Sequence, residues 1–174
     1  ANTTGASNTS VGYTSLDANT TGSNNVAIGQ DALGANTTAN DNTAIGLSSL
    51  KLNVTGTANT AVGKDALRAN LADNNTAVGM DALTANTTGA DNVAFGSETM
   101  VSNTTGDANT ALGRGALASN STADNNTAVG RSALLANTTG TRNVAVGTYS
   151  LDANTTANDN TAVGYNAATA ITTG

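Results

Sequence analysis

The side chains that could act as acid, base or nucleophile here are twelve Asp and Glu, three Tyr, and the Ser and Thr hydroxyls, because the chain contains no His and no Cys. Without imidazole it lacks the group best suited to proton transfer near neutral pH. Without thiols it has no thiolate nucleophile, no disulfide framework and no zinc–thiolate site. The carboxylates do not recur at one place. Asp31, Asp65 and Asp81 share the fourteenth position of a repeat, whereas Asp41, Asp107 and Asp124 fall in Asn-rich turns. A calcium-binding repeat would hold Asp at a fixed position. No base, nucleophile and orienting group form a constellation, and Tyr13, Tyr149 and Tyr165 are isolated rings suited to surface contacts. The reading is a non-enzymatic chain with no cofactor and no metal. Six Lys and Arg are scattered singly, so there is no basic stripe for nucleic acid. No apolar run approaches the roughly 18 residues of a membrane span.

One further pattern could carry chemistry. Asn-x-Thr or Asn-x-Ser occurs at Asn2, Asn19, Asn36, Asn53, Asn86, Asn103, Asn120, Asn137 and Asn154, and such sequons accept N-glycans on exposed loops. Candidate glycosylation sites are therefore Asn19, Asn36, Asn86, Asn137 and Asn154. The competing reading, which we favour, is that Asn-Thr-Thr-Gly is turn chemistry.

What positions these residues is a repeat. The Asn-rich turns recur every 17 residues, with one step of 16 where a residue is missing around Leu71-Ala72-Asp73. Ten coils result: 1–17, 18–34, 35–51, 52–68, 69–84, 85–101, 102–118, 119–135, 136–152 and 153–169, followed by the partial 170–174. The whole chain is a single array. The averaged unit reads A-N-T-T-G-x-x-N-T-A-V-G-x-x-A-L-x. Its eighth position is always Asn (Asn8, Asn25, Asn42, Asn59, Asn75, Asn92, Asn109, Asn126, Asn143, Asn160) and its twelfth always Gly, as at Gly29, Gly46, Gly63 and Gly130.

Seventeen residues are too few for a packed helix pair. Each unit holds a short β-type run between Asn and Gly corners, so the fold expected is all-β: a parallel β-solenoid, or β-roll, of two short strands and two turns per coil. In Asn25-Val26-Ala27-Ile28-Gly29 the alternation places Val26 and Ile28 on one face and Ala27 on the other. The larger ninth and eleventh residues are expected inside and the Ala column outside. Position sixteen, Leu from Leu16 to Leu151 except for Met100, closes the core from the second strand. Gly at position twelve ends the strand where a positive φ or a close neighbour is needed. The Asn column tolerates left-handed geometry and can bond the next copy, forming a structural ladder.

Leu, Ile, Val and Phe together number only 28 of 174 residues. One coil buries too little to offset the ordering of its backbone, so stacking and association between chains are expected. The Ala column offers a flat face for side-by-side packing. Neither terminal coil reads as a polar cap of the kind solenoids carry, which leaves room for end-to-end stacking.

The phrase Asn25-Val26-Ala27-Ile28-Gly29 resembles the head repeats of YadA-like trimeric autotransporter adhesins. The longer Asn-Thr-Ala-Val-Gly…Ala-Leu…Asn-Thr-Thr-Gly pattern is also similar to repeats of phage tail fibres and large bacterial surface proteins. The resemblance implies a left-handed β-roll, a homotrimer and a place on a cell surface. It covers essentially the whole chain, although the adhesin head repeat is shorter than 17 residues. The function expected is an extracellular structural fibre or adhesin shaft that associates with itself, as a homotrimer or an end-to-end filament. The alternative is a phage tail-fibre or receptor-binding module facing a host surface or glycan. An ice-binding face is disfavoured, because its Thr ranks would need T-x-T spacing, whereas Thr20-Thr21 and Thr37-Thr38 are adjacent and point opposite ways on a strand.

Overall fold

The computed structural model describes residues 2–173. It is all-β: ten parallel strands form one sheet in strict sequence order. The strands are β1 (Thr9–Val11), β2 (Val26–Ile28), β3 (Thr43–Ile45), β4 (Thr60–Val62), β5 (Thr76–Val78), β6 (Val93–Phe95), β7 (Thr110–Leu112), β8 (Thr127–Val129), β9 (Val144–Val146) and β10 (Thr161–Val163). Pairing follows the repeat: Thr43 opposes Thr60, and Ala44 opposes Ala61. The short coil is absorbed in its turn, because Thr60 still opposes Thr76 and Val62 opposes Val78.

Each coil supplies one strand, not two. The expected second strand, carrying Ala and Leu, is a turn. The reason lies in the backbone. Position fourteen and position sixteen are both left-handed, as at Asp31 (φ 59) and Leu33 (φ 49), and alternating signs of φ cannot make an extended strand. The turn is nonetheless laddered to its neighbour: Leu16 N–H donates to Ala32 O at 3.0 Å and Leu33 N–H to Ser49 O at 3.1 Å. Left-handed Leu is uncommon. Here the coil above and the coil below both hold it, and the geometry buries the side chain completely.

The strand faces the opposite way from expectation. Ala at position ten is inside, fully buried from Ala27 to Ala145. Positions nine and eleven point outward, and their side chains are half-buried or exposed. The core is a thin layer in which the Ala column of the sheet meets the Ala and Leu columns of the facing turn: Ala27, Ala44 and Ala61 against Ala32, Leu33, Leu50 and Leu67. A coil this flat has room for a methyl group opposite a Leu and no room for two branched chains. The Thr hydroxyls of position nine therefore need no buried partner. The Ala column is not available for packing between chains.

Gly at position twelve does what the sequence suggested. Gly46 has φ +132, and a Cβ there would lie 2.6 Å from the carbonyl oxygen of Gly63. The corner thus needs glycine on two counts, a conformation that L side chains rarely adopt and backbone contact with the next coil. Gly29, Gly63 and Gly130 are in the same state.

Candidate functional site

Two columns of Asn run through the interior. The first is the predicted ladder at position eight. Asn42 N–H donates to Asn25 Oδ1 at 3.0 Å, Asn59 N–H to Asn42 Oδ1 at 3.0 Å, and Asn75 N–H to Asn59 Oδ1 at 2.9 Å. The amide nitrogen reaches forward to the turn of the next coil: Asn42 Nδ2 to Gly56 O at 2.9 Å and Asn92 Nδ2 to Gly106 O at 2.8 Å. One side chain must accept at one end and donate at the other, which the carboxamide does and a carboxylate cannot. From Asn25 to Asn143 the column is buried; Asn8 and Asn160, at the ends, are partly so.

The second column is position two, where the sequons lie. Asn19, Asn36, Asn86, Asn137 and Asn154 are buried. Each Nδ2 donates to its own turn, as Asn86 does to Gly89 O at 2.7 Å, and to the Asn below, as Asn103 does to Asn86 Oδ1 at 2.8 Å. The atom that would carry a glycan is inside the solenoid with both hydrogens engaged, so the folded coil does not accommodate glycans at these five residues. Turn chemistry is the reading the geometry supports, with an internal amide ladder added to it. The sequence signal for that ladder was Asn at position two in all ten coils.

This second ladder lapses in one stretch. Asn36 Oδ1 has no partner. Asn53 turns to its own loop, donating to Gly56 O at 2.8 Å and accepting from Gly56 N–H at 3.0 Å. The backbone bond from position three, present as Thr20 N–H to Thr37 O at 2.9 Å and Thr87 N–H to Thr104 O at 2.9 Å, is not made between Thr37 and Val54 or between Val54 and Leu71. The missing residue of the fifth coil moves Leu71 and Ala72 out of register with the turns before it.

The carboxylates sit where the backbone calls for them. Asp31, Asp41, Asp65, Asp81, Asp91, Glu98 and Asp159 occupy left-handed positions, which short polar side chains tolerate. Asp107 Oδ1 accepts from Ala90 N–H at 2.7 Å and Asp124 Oδ1 from Asp107 N–H at 2.8 Å, the role that Asn40 and Asn158 play in other coils. The Thr14 hydroxyl, aided by the Lys51 ammonium, holds Asp31 below the usual carboxylate range. Arg142 does the same to Asp159 and is itself raised in return. Among the described residues no three His, Cys, Asp or Glu gather as metal ligands, and no helix is long and apolar enough to cross a membrane.

The feature that stands out is the outer strand face. Position eleven forms a column of Val11, Ile28, Ile45, Val62, Val78, Phe95, Leu112, Val129, Val146 and Val163, with Thr or Val of position nine beside it. Val11 is 58% exposed, Phe95 57% and Val163 70%. Ten such rows, about 4.8 Å apart, make a stripe on the order of 50 Å long and 10–15 Å wide. That face is on the order of 600 Å², and the position-eleven column supplies its apolar half beside a column that is mostly Thr. A row of Val and Ile on a flat, hydrogen-bonded sheet is rigid before it meets anything.

Comparison of the chain with protein-family models, with curated proteins and with solved structures finds no match.

Proposed function

We propose that this chain is a structural shaft of an extracellular or cell-surface fibre, and that copies associate side by side through the outer strand face. The observation that carries the reading is the unbroken apolar column at position eleven on a β-solenoid whose own core is thin. Burying that stripe would add the apolar contact that each coil lacks. Its area approaches the roughly 800 Å² per partner of a standard stable interface. Three chains arranged about an axis, each presenting one such face, would close the assembly and leave no stripe exposed. The adhesin-head and tail-fibre resemblance points to the same arrangement.

The test is sedimentation velocity on the intact chain and on the double variant Val62→Lys, Val78→Lys. These residues are outside the core, so the variant keeps its β-type circular dichroism. The wild type is expected to sediment as a trimer at micromolar concentration and the variant as a monomer. A wild type that stays monomeric at about 100 μM, well above the Kd of a stable assembly, would remove this reading. Filaments of variable length would replace the closed trimer by end-to-end stacking.

The outward Thr column (Thr43, Thr60, Thr76, Thr110, Thr127) gives a second reading, a flat T-x-V face for an extended target such as ice. Val26, Val93 and Val144 interrupt the Thr rank, and Phe95 stands above the Val column. Thermal hysteresis absent at millimolar protein dismisses it.

A further inference from the structure

A different face of the coil, carrying positions thirteen, fourteen and seventeen, holds most of the ion pairs. Lys51 meets Asp31 at 3.0 Å, Lys64 and Arg68 meet Asp65 at 3.4 and 3.6 Å, and Arg114 meets Glu98 at 2.9 Å. Arg142 meets Asp159 at 2.6 Å at the opposite turn. Of the six cations, Arg131 alone has no carboxylate partner among the described residues. Its guanidinium lies over the Tyr149 ring, 5.5 Å from the centroid, and lines a cleft of about 430 Å³.

Gly115, at position fourteen, lines this cleft. The other nine coils place a side chain there, among them Ser48, Glu98, Ser132 and Tyr149, all at left-handed φ. The backbone therefore does not require glycine. Packing does not require it either, since a Cβ on Gly115 would meet nothing nearer than Ser132 Oγ at 3.7 Å. The glycine leaves a notch that its neighbours do not close. Val101, Ala118 and Leu135 give the notch apolar walls, while Arg131, Ser132, Arg114, Glu98 and Asp81 give it polar ones, with Arg114 already paired to Glu98.

We propose that this cleft binds an anionic sugar, a pyranose ring bearing a carboxylate. A guanidinium takes a carboxylate through two parallel N–H donors, and Arg131 is the one cation with that valence unspent. Ser132 Oγ and the Glu98 carboxylate can accept from ring hydroxyls. The C–H face of the ring packs on Val101, Ala118 and Leu135. The cleft volume falls in the roughly 300–1,000 Å³ range of small-molecule sites. A wholly apolar ligand would strip water from Arg131 without replacing it, and a neutral sugar would leave its charge unmatched. The chain carries a net charge of −6, and Asp81 and Glu98 balance the two guanidiniums of the cleft, so attraction of the anion is local to the Arg131 end. The proposal stands apart from self-association, because the cleft lies off the strand face.

Saturation-transfer NMR on the intact chain, with glucuronate, glucose and acetate as probes at equal ionic strength, tests it. Glucuronate is expected to show transfer concentrated on one ring face, with glucose and acetate much weaker. In Arg131→Gln the glucuronate Kd should rise about tenfold, the loss of one charge-assisted hydrogen-bonded pair. Gly115→Ser should abolish the signal by filling the notch. That variant keeps the fold, since Ser48 and Ser132 occupy the same place at φ 57 and 55. Three results each overturn the proposal: no transfer to glucuronate, equal transfer to glucose or acetate, or undiminished transfer in Gly115→Ser. A chain that proves monomeric leaves it untouched.

Discussion

Replacing Asn59 by alanine tests the ladder at its middle. Asn59 Oδ1 accepts from the buried Asn75 N–H at 2.9 Å, and Asn59 Nδ2 donates to Ala72 O at 2.8 Å. Alanine leaves the buried Asn75 N–H without a partner, while Ala72 O keeps the Asn70 Nδ2 donor at 2.7 Å. An orphaned buried N–H costs about 1–3 kcal/mol, which is the loss expected for Asn59→Ala. The assay is urea unfolding by circular dichroism, with hydrogen exchange at Asn75 as the local readout. Exchange at Asn75 should speed up far more than at Thr161. Asn59→Asp sharpens the test. Its carboxylate can still accept from Asn75, but it faces the Ala72 carbonyl oxygen with no proton to give. Burial raises that carboxyl's pKa above its unfolded value. The variant's relative stability is then greatest below the unfolded Asp pKa and falls as pH rises through the folded one. Both variants within 0.5 kcal/mol of wild type, the ordinary scatter of neutral surface changes, with Asn75 exchange unaltered, would refute the claim that this column holds the coils together.

Three further outcomes are expected. Gly63→Ala should destabilise by more than about 3 kcal/mol, because φ +135 and a Cβ 2.5 Å from Gly79 O act together; a melting temperature unchanged from wild type contradicts it. Leu83→Ala, at a buried site, should cost about 2–4 kcal/mol by leaving a cavity, whereas Ile45→Thr on the outer face should cost an isolated chain under about 1 kcal/mol; equal losses would mean the core is misplaced. Asp159 titrates below its ordinary 3.8 under the influence of Arg142, so its small contribution is present above that value and lost as pH falls through the lower folded pKa; Arg142→Gln should flatten this part of the acid melting curve, and an identical acid curve in the variant removes the pair from the account.

The period, the parallel pairing and the Leu column were legible because each depends only on spacing. The inside of the strand was not. Alternation says that Val26 and Ile28 share a face and that Ala27 does not, and this statement is unchanged when the strand is turned over. Hydrophobicity then favours the larger residues inside, and here that preference gives the wrong answer. Two signals could have corrected it. Asn25 shares a face with Ala27, and a position that is Asn in every coil is held by fixed partners. Position eleven varies from Val78 to Phe95 between adjacent coils, a change of volume that a close-packed layer would resist. The left-handed Leu was beyond reach of propensity, which does not anticipate a φ maintained by the coils on either side. The cleft at Gly115 was hidden for another reason. Its glycine differs from the averaged repeat by a single letter, and its meaning depends on which side chains stand around the gap.

The coil geometry also sets how much chain the solenoid stores. Seventeen residues rise only about 4.8 Å as one coil, yet drawn out they span on the order of 55–60 Å. A solenoid built this way keeps more than ten times its length in reserve, released in steps of one coil. The stretch from Asn36 to Leu71, where the Asn column and the position-three backbone bonds both lapse, has the fewest bonds to break per step. Under tension the single missing residue of the fifth coil thus becomes a mechanical address, marking where a load along the axis would first be converted into extension.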